Sequence, residues 1–258
     1  MPYTTEKLLK KTINKGKIKS VIHIGGHKAE EIDLYSKENL SKVIYIEPVK
    51  DFYNIIKEKI TSRNLSNFEV YNFALGSENK SEKIHVADGS FSGNSSLLKP
   101  RPSKVAYSKK EVIEIKTYNS LKIENIELGV LDTEGYELEI LKGMEARINE
   151  FNYLIVEFSM FEEYIGRPIF TDIDNYLDQN AFTRLKTMRR INYKKYNDVN
   201  YGDALYINNK LLPNWKAKVY KIRTKFVDTK IYFLFLIITD YSFHIKKLKQ
   251  LIKKIISF

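Results

Sequence analysis

Residues 20–35 read SVIHIGGHKAEEIDLY. A short apolar strand, residues 21–24, runs into Gly25-Gly26. An amphipathic segment follows, with Ile32 and Tyr35 at helical spacing and charges between them. The unit repeats downstream. KVIYIEP gives a buried-type strand over 43–46 that ends at Glu47-Pro48, and KDFYNIIKEKI places Phe52, Ile55, Ile56 and Ile60 on one helical face. NFEVYNFALGS reads as a third strand closing at Gly76. Three strands joined by helices predict a parallel sheet with right-handed crossovers.

Beyond Gly76 the pattern changes. Residues 81–87, SEKIHVA, and then EVIEIKTY alternate as half-exposed strands, and the stretch between them, rich in Ser, Gly and Pro, reads as a long loop. This is expected to be an antiparallel hairpin inserted into the sheet. The sheet resumes at IELGVLDTEG, followed by YELEILKGMEARI with Leu138, Leu141, Met144 and Ile148 as a helical stripe. NYLIVEFS is a further buried strand, a helix is expected near TDIDNYLDQN, and FTRLKTM and GDALYIN give two last strands, antiparallel at one edge. The fold class is therefore α/β: a mostly parallel seven-stranded, Rossmann-like sheet with helices on both faces, a β-hairpin insertion and a helical C-terminal extension. The domain division is a body over 1–210 and a tail over 211–258.

Composition narrows the function classes. The chain has 258 residues and no cysteine, which removes disulfides, thiolate-bound zinc and thiol catalysis. The N-terminal stretch is charged throughout, so secretion is not expected, and no run approaches the ~18 apolar residues that span a bilayer. The net charge of +11 is local: residues 211–258 hold ten lysines and one arginine against Asp228 and Asp240, a net +9, which leaves +2 for the first 210. A near-neutral body with a basic tail is not the footprint of a nucleic-acid binder, and no nucleic acid is expected as partner. A cytoplasmic location is expected.

In sheets of this kind, ligands gather beyond the carboxyl ends of the strands. Gly25 and Gly26 permit a tight turn close to a ligand, and Glu47 lies 21 residues past Gly26, where an acid can accept from both ribose hydroxyls. That pairing suits an adenosine-type ligand. Glu30 and Glu31, in the first turn expected for the helix, would repel a pyrophosphate but not an ammonium or a sulfonium, which favours S-adenosylmethionine over NAD. GVLDTEGYELEILKG, residues 129–143, ends a strand in Asp132 and Glu134. Clustered carboxylates there suit a general base, a cation partner or, through oxygen ligands, Mg2+; alternatively Asp132 caps the next helix and Glu134 complements its dipole.

The ordered blocks VIHIGGHKAEE, VIYIEP, VYNFALGS, SGNSSLLKP, GVLDTEGYELEILKG, LIVEFSMFEEY and YGDALYIN resemble the FkbM family of S-adenosylmethionine-dependent methyltransferases over about residues 18–208. The resemblance implies a class I methyltransferase fold and methylation of a hydroxyl on a sugar or glycoconjugate acceptor. It further implies that Gly25 and Gly26 face the methionine part, that Glu47 binds the ribose and that the turn at Phe73, Ala74 and Leu75 borders the adenine. The family's first block usually carries Asp, Gly, Ala, Asn and Gly where this chain has His23, Gly25, Gly26, His27 and Ala29. The change at His23 removes the usual acidic contact near the cofactor's ammonium, a place Glu30 or Glu31 could take.

Asp132 is the first candidate for the base that activates the acceptor, beside the cofactor, and His27 the second, because an imidazole titrates near neutrality. His23, in mid-strand, reads chiefly as a packed core residue. GSFSGNSSLLKP, residues 89–100, reads as a loop able to close over a polar acceptor. In the tail, IKKLKQLIKKIISF sets six apolar residues against five lysines on another face, the pattern of a helix lying on an anionic membrane surface. Peripheral association with the inner face of a membrane is therefore an expectation, as against a tail docked on the body or on a second subunit. The alternative readings are a non-catalytic member of the fold and an NAD-dependent protein.

Overall fold

The structure, a computed structural model, describes residues 3–103, 105–160, 162–190 and 201–228. In chain order the helices are α1 (Tyr3–Gly16), α2 (Ile32–Lys37), α3 (Lys50–Ser62), α4 (Glu137–Met144), α5 (Phe170–Gln179) and α6 (Asn214–Asp228). The strands are β1 (Ser20–Ile24), β2 (Lys42–Ile46), β3 (Phe68–Tyr71), β4 (Ala74–Leu75), β5 (Lys80–Val86), β6 (Lys109–Lys116), β7 (Leu128–Leu131), β8 (Tyr153–Ser159), β9 (Phe182–Arg190) and β10 (Tyr201–Asn208).

Seven strands form the main sheet in the order β3-β2-β1-β7-β8-β10-β9. The five from β3 to β8 are parallel, and β10 runs antiparallel between β8 and β9. The chain builds outward from β1 to β3, then crosses back to lay β7 on the other edge of β1. The strand order reverses between β1 and β7, which puts the crevice for a ligand at their carboxyl ends.

Alternation along the strands divides the core. Ile22, Ile24, Ile44 and Ile46 face α4 and α5, where Ile140, Leu141, Ile173 and Leu177 are buried. Val21, Val43, Tyr45 and Val130 face the other way, against Leu9 of α1, Ile32 of α2 and Ile56 of α3. Helices thus cover both faces. Burial of Leu8, Leu9 and Ile13 holds α1, a helix the charged N-terminus did not announce.

Three expectations are corrected. The third strand ends at Tyr71, not at Gly76: Asn72 Nδ2 donates to Glu47 O (2.9 Å) and Pro48 O (2.8 Å), the chain leaves the sheet, and Ala74–Leu75 becomes β4. It pairs with β6, so the inserted β5–β6 hairpin is part of a three-stranded sheet, β4-β6-β5. Second, α2 starts at Ile32, so Glu30 and Glu31 precede the helix. Third, α4 stops at Met144, because Glu145 takes a positive φ of 48° and a 3-10 turn over Glu145–Glu150 follows. Leu141, Met144 and Ile148 are buried as expected, whereas Ile140 joins the core in place of Leu138, which is only partly covered. Gly143 lets α4 press on the turn after β4, since a Cβ there would lie 1.8 Å from Gly76 O.

The basic amphipathic segment expected over 245–258, and the apolar run before it, lie outside the described residues. Among the described residues, no helix is long and apolar enough to cross a membrane.

Candidate active site

Three strand ends are stitched together at the switch point. Gly25 N and Gly26 N both donate to Ile46 O (3.0 and 3.2 Å), and Asp132 N donates to Ile24 O (3.0 Å). Gly25 has φ +86°, and a Cβ on it would lie 1.8 Å from Asp132 O. This position needs glycine on both counts. His27 and Ala29 then continue the turn at φ 44° and 47°.

Glu47 locks the turn from the neighbouring strand. Its Oε2 accepts from His27 N at 2.7 Å and its Oε1 from Val49 N at 2.8 Å. The side chain is buried, and desolvation pushes its pKa up to about 8 against the pull of those two N–H groups. Each carboxylate oxygen keeps a second lone pair for a ligand.

Two adjoining clefts open here. One, of about 550 Å³, is lined by Glu47, Val49, Ala74, Leu75 and Tyr136 among others. The other, of about 660 Å³, is lined by His23, Gly26, Glu30, Glu31 and Asn94. Gly25, His27, Gly93, Asp132 and Glu134 border both. Phe73 does not line either cleft; its ring is buried in the core, 5.8 Å from that of Tyr71. Acidic side chains line both spaces, and among the described residues no lysine or arginine does.

The two histidines have different settings. His23 is buried, its Nδ1 lying 3.0 Å from Tyr35 Oη and 3.1 Å from Glu31 Oε1, with its ring stacked on Tyr45. Burial drives the His23 pKa down to about 4 and that of Glu31 up to about 7. Both shifts favour neutral forms. His27 is half-buried, and both ring nitrogens are engaged: Nδ1 with Glu30 Oε1 (2.8 Å) and Nε2 with Ser92 Oγ (2.9 Å). Desolvation would raise the Glu30 pKa, but the hydrogen bond and charge of His27 prevail and hold it at about 2. Lys28 Nζ also donates to Ser92 Oγ, at 3.2 Å, so the loop carrying Ser92 is latched to the glycine turn.

Asp132, Glu134 and Glu157 bring carboxylate oxygens within 4.8 Å of one another. The sequence placed Asp132 and Glu134 at a strand end but did not bring in Glu157, inside β8, or the cation beside it, Arg167. Its Nη2 lies 3.2 Å from Glu157 and its Nη1 3.7 Å from Glu134 and 2.8 Å from Glu163. Burial, then the repulsion of Asp132, raises the pKa of Glu134 to about 8 and that of Glu157 well above the ordinary range. The Tyr164 hydroxyl lies 2.9 Å from Asn94 O and 3.3 Å from Glu134 Oε2. The role of cap falls to neither Asp132 nor Glu134. Glu137 Oε1 accepts from Thr133 N (2.9 Å) and Gly135 N (3.1 Å) and closes the turn before α4.

A strand-end cleft of this construction coincides with a sequence-family match: the Methyltransferase FkbM domain covers residues 23–184, more than half of the chain. The chain belongs to the FkbM methyltransferase family. Among solved structures, this FkbM chain is similar to methyltransferase FkbM from Methylobacillus flagellatus KT, with 16% identity, a TM-score of 0.49 and coverage of 74% of this chain and 43% of that one. The chain therefore spans less than half the length of that protein. It is also similar to Sp1610 of Streptococcus pneumoniae, described as a putative tRNA methyltransferase, with 11% identity, a TM-score of 0.50 and coverage of 100% and 97%. TrmK of M. capricolum, solved with S-adenosyl-homocysteine, shows 10% identity, a TM-score of 0.47 and coverage of 84% and 74%. At these identities the likeness concerns the fold, which is that of the class I methyltransferases. No curated protein gives a significant match.

Proposed function

We propose that the FkbM domain of this chain is an S-adenosylmethionine-dependent O-methyltransferase that acts on a hydroxyl of a sugar or glycoconjugate, with residues 1–210 as its catalytic body. The observation that carries the cofactor reading is the chemistry of the clefts: Glu47, Glu30, Glu31 and Asp132 line them and, among the described residues, no lysine or arginine does. A pyrophosphate would find no lysine or arginine among the described residues lining the clefts and would meet the ionised Glu30 carboxylate, so the NAD reading is disfavoured. A ligand with ribose hydroxyls, an ammonium and a sulfonium finds acceptors and negative charge.

When bound, S-adenosylmethionine supplies an electrophilic methyl group. Glu47 accepts the ribose hydroxyls while its own position is fixed by His27 N and Val49 N. Gly25 and Gly26 keep the turn open to the methionine part, Ala74 and Leu75 border the adenine, and Glu30 faces the ammonium in place of the family's usual Asp at the position of His23. Asp132 takes the proton from the acceptor hydroxyl. His27 is the lesser base, because Glu30 and Ser92 already engage both its nitrogens. Mg2+ at Asp132 and Glu134 is not part of the proposal: the guanidinium of Arg167 already lies 3.7 Å from Glu134 and 3.2 Å from Glu157. The Ser-rich loop with Ser92 and Asn94 covers the site and offers hydroxyls and amides to a polar acceptor.

Calorimetry with S-adenosylmethionine, run against a nicotinamide fluorescence titration, tests the cofactor. Saturable binding of the first and none of the second is expected; the reverse would install the NAD reading, and no binding of either the non-catalytic one. A panel of glycans incubated with labelled cofactor, with tRNA beside them, tests the acceptor class. Methyl incorporation into tRNA alone would refute the sugar assignment.

Residues 211–258 form an appended basic tail that holds the body on an anionic membrane surface. Its composition supports this reading, and sedimentation with anionic vesicles, with and without residues 211–258, tests it. Equal partitioning of both forms would end it.

A further inference from the structure

Residues 88–97 stand between the clefts and solvent. They carry a 3-10 turn over Gly89–Asn94. Ser92, Gly93, Ser95 and Leu97 line the cleft that contains Glu47, and Gly93 and Asn94 line the one that contains Glu30. Gly93 borders both clefts and is nevertheless exposed, so the chain here is a thin outer wall. Little apolar surface fastens it. Ser92 is the buried residue of the turn, Phe91 is 49% exposed, and a Cβ built on Gly89 or Gly93 would meet no described atom within 4 Å. Gly89 also takes a left-handed φ of 57°, which glycine adopts without strain.

Hydrogen bonds hold the wall at both ends instead. On one side Ser92 Oγ meets His27 Nε2 at 2.9 Å and accepts from Lys28 Nζ at 3.2 Å, which ties the wall to the turn after β1. On the other, Asn94 O accepts from the hydroxyls of Tyr164 at 2.9 Å and Tyr107 at 3.3 Å. Ser96 Oγ donates to Glu134 O at 2.7 Å just beyond. Tyr164 is a firm post: it is buried, and its main chain is bridged to Pro100. Neither Tyr164 nor Tyr107 is among the residues that line the clefts. An element fastened by a handful of hydrogen bonds and little apolar area opens far more readily than the sheet beneath it.

We propose that residues 88–97 are a latched lid over the cofactor cleft, with Ser92 and Tyr164 as its two latches, and that lid opening sets how fast the cofactor enters and leaves. Tyr164 is then a positioning residue, acting through Asn94 on a molecule it does not touch. Because each latch is a bond within the chain, its loss favours the open lid equally with the cleft full or empty. Entry and exit speed up by one factor, and the equilibrium between them stays in place. A direct ligand contact behaves otherwise, since its loss speeds exit alone. Which molecule passes the lid rests on the S-adenosylmethionine reading; the latch itself does not.

Tyr164→Phe keeps the ring and removes the hydroxyl, and Ser92→Ala removes the latch at the other end. Tyr107→Phe removes the second donor to Asn94 O and keeps the test alive should Tyr164→Phe fail to fold. Binding and release of S-adenosylhomocysteine are timed by surface plasmon resonance. Hydrogen exchange over residues 88–97 is followed by mass spectrometry with no ligand added. Tyr164→Phe should raise both rate constants roughly three- to tenfold, the effect of one hydrogen bond, and leave Kd within about twofold. Ser92→Ala should shift both rate constants in the same direction, and Tyr107→Phe should do so by less. Amides over 88–97 should exchange faster in all three variants, with those of α4 and β7 unchanged. Parent-like rate constants in the variants would overturn the lid. Faster exit without faster entry would overturn it too and make these residues ligand contacts. If the parent binds no S-adenosylhomocysteine, the cofactor reading falls on its own. Unchanged hydrogen exchange in the variants would then bring down the latch as well, whereas faster exchange would uphold it.

Discussion

Glu47 Oε2 accepts a hydrogen bond from the main-chain N–H of His27 at 2.7 Å, so the end of β2 holds the glycine turn that follows β1. Two parts of the proposed cofactor site are thus one mechanical unit. Glu47→Gln places an amide NH2 where one of two N–H donors needs an acceptor. We expect affinity for S-adenosylhomocysteine to fall at least about tenfold and stability to drop by about 1–3 kcal/mol. Calorimetry and urea denaturation of the same variant measure the two effects. Unchanged affinity would remove Glu47 from the cofactor site.

Glu31, Glu47 and Glu134 all have folded-state pKa values raised by burial, to about 7, 8 and 8. A carboxyl of this kind holds more protons folded than unfolded between about pH 4.5 and its folded pKa, so its contribution to stability is full below that window and falls as pH rises through it. The ligand-free protein should lose melting temperature from pH 5 to pH 8, at about 2–4 °C per kcal/mol for a chain of this size. His23, depressed to about 4, acts in the opposite sense between pH 6.5 and 4 and softens the acid end of the curve. Glu47→Gln should flatten the slope above pH 5. A melting temperature that climbs steadily to pH 8 would mean that these carboxyls ionise normally when folded.

Arg167 is the cation among Glu134, Glu157 and Glu163. Arg167→Met leaves buried carboxylates uncompensated, and a loss of about 3–5 kcal/mol is expected, growing with pH. Arg167→Lys should recover only part of it, because a single ammonium cannot reproduce the forked contacts. Denaturant unfolding at pH 6 and pH 8 measures both variants; wild-type stability of Arg167→Met at pH 8 would contradict the role.

Gly25 and Ala29 belong to one turn and should respond oppositely to a change of one carbon. Gly25→Ala drives a Cβ to 1.8 Å from Asp132 O and should abolish cofactor binding or folding. Ala29→Gly relieves a left-handed residue, worth about 1–2 kcal/mol, and loses a buried methyl, worth about 0.8 kcal/mol. Its net effect should stay within about 1 kcal/mol, read from the melting temperature.

Asp132→Asn and His27→Gln separate the two candidate bases. The first should keep cofactor binding and lower turnover by about 10²–10⁴-fold. The second should lower turnover less, since its nitrogens are already engaged by Glu30 and Ser92. The opposite ranking in single-turnover assays would exchange the roles.

The alternation of apolar strands with amphipathic helices was enough to give the parallel half of the sheet, because burial on both faces and helical crossovers leave a period in the chain. The strand-end position of Gly25, Glu47, Asp132 and Glu134 followed from the same period. Local sequence did not show that β4 leaves the main sheet, since that turn depends on Asn72 bonding to carbonyls of Glu47 and Pro48, 25 and 24 residues earlier. Nor did it show that Arg167 serves Glu157 and Glu134. Those pairings join residues distant in the chain, and their energies exist only once packing has excluded water and fixed the distances between charges. Periodicity is written residue by residue; electrostatic partnership is decided by the tertiary fold.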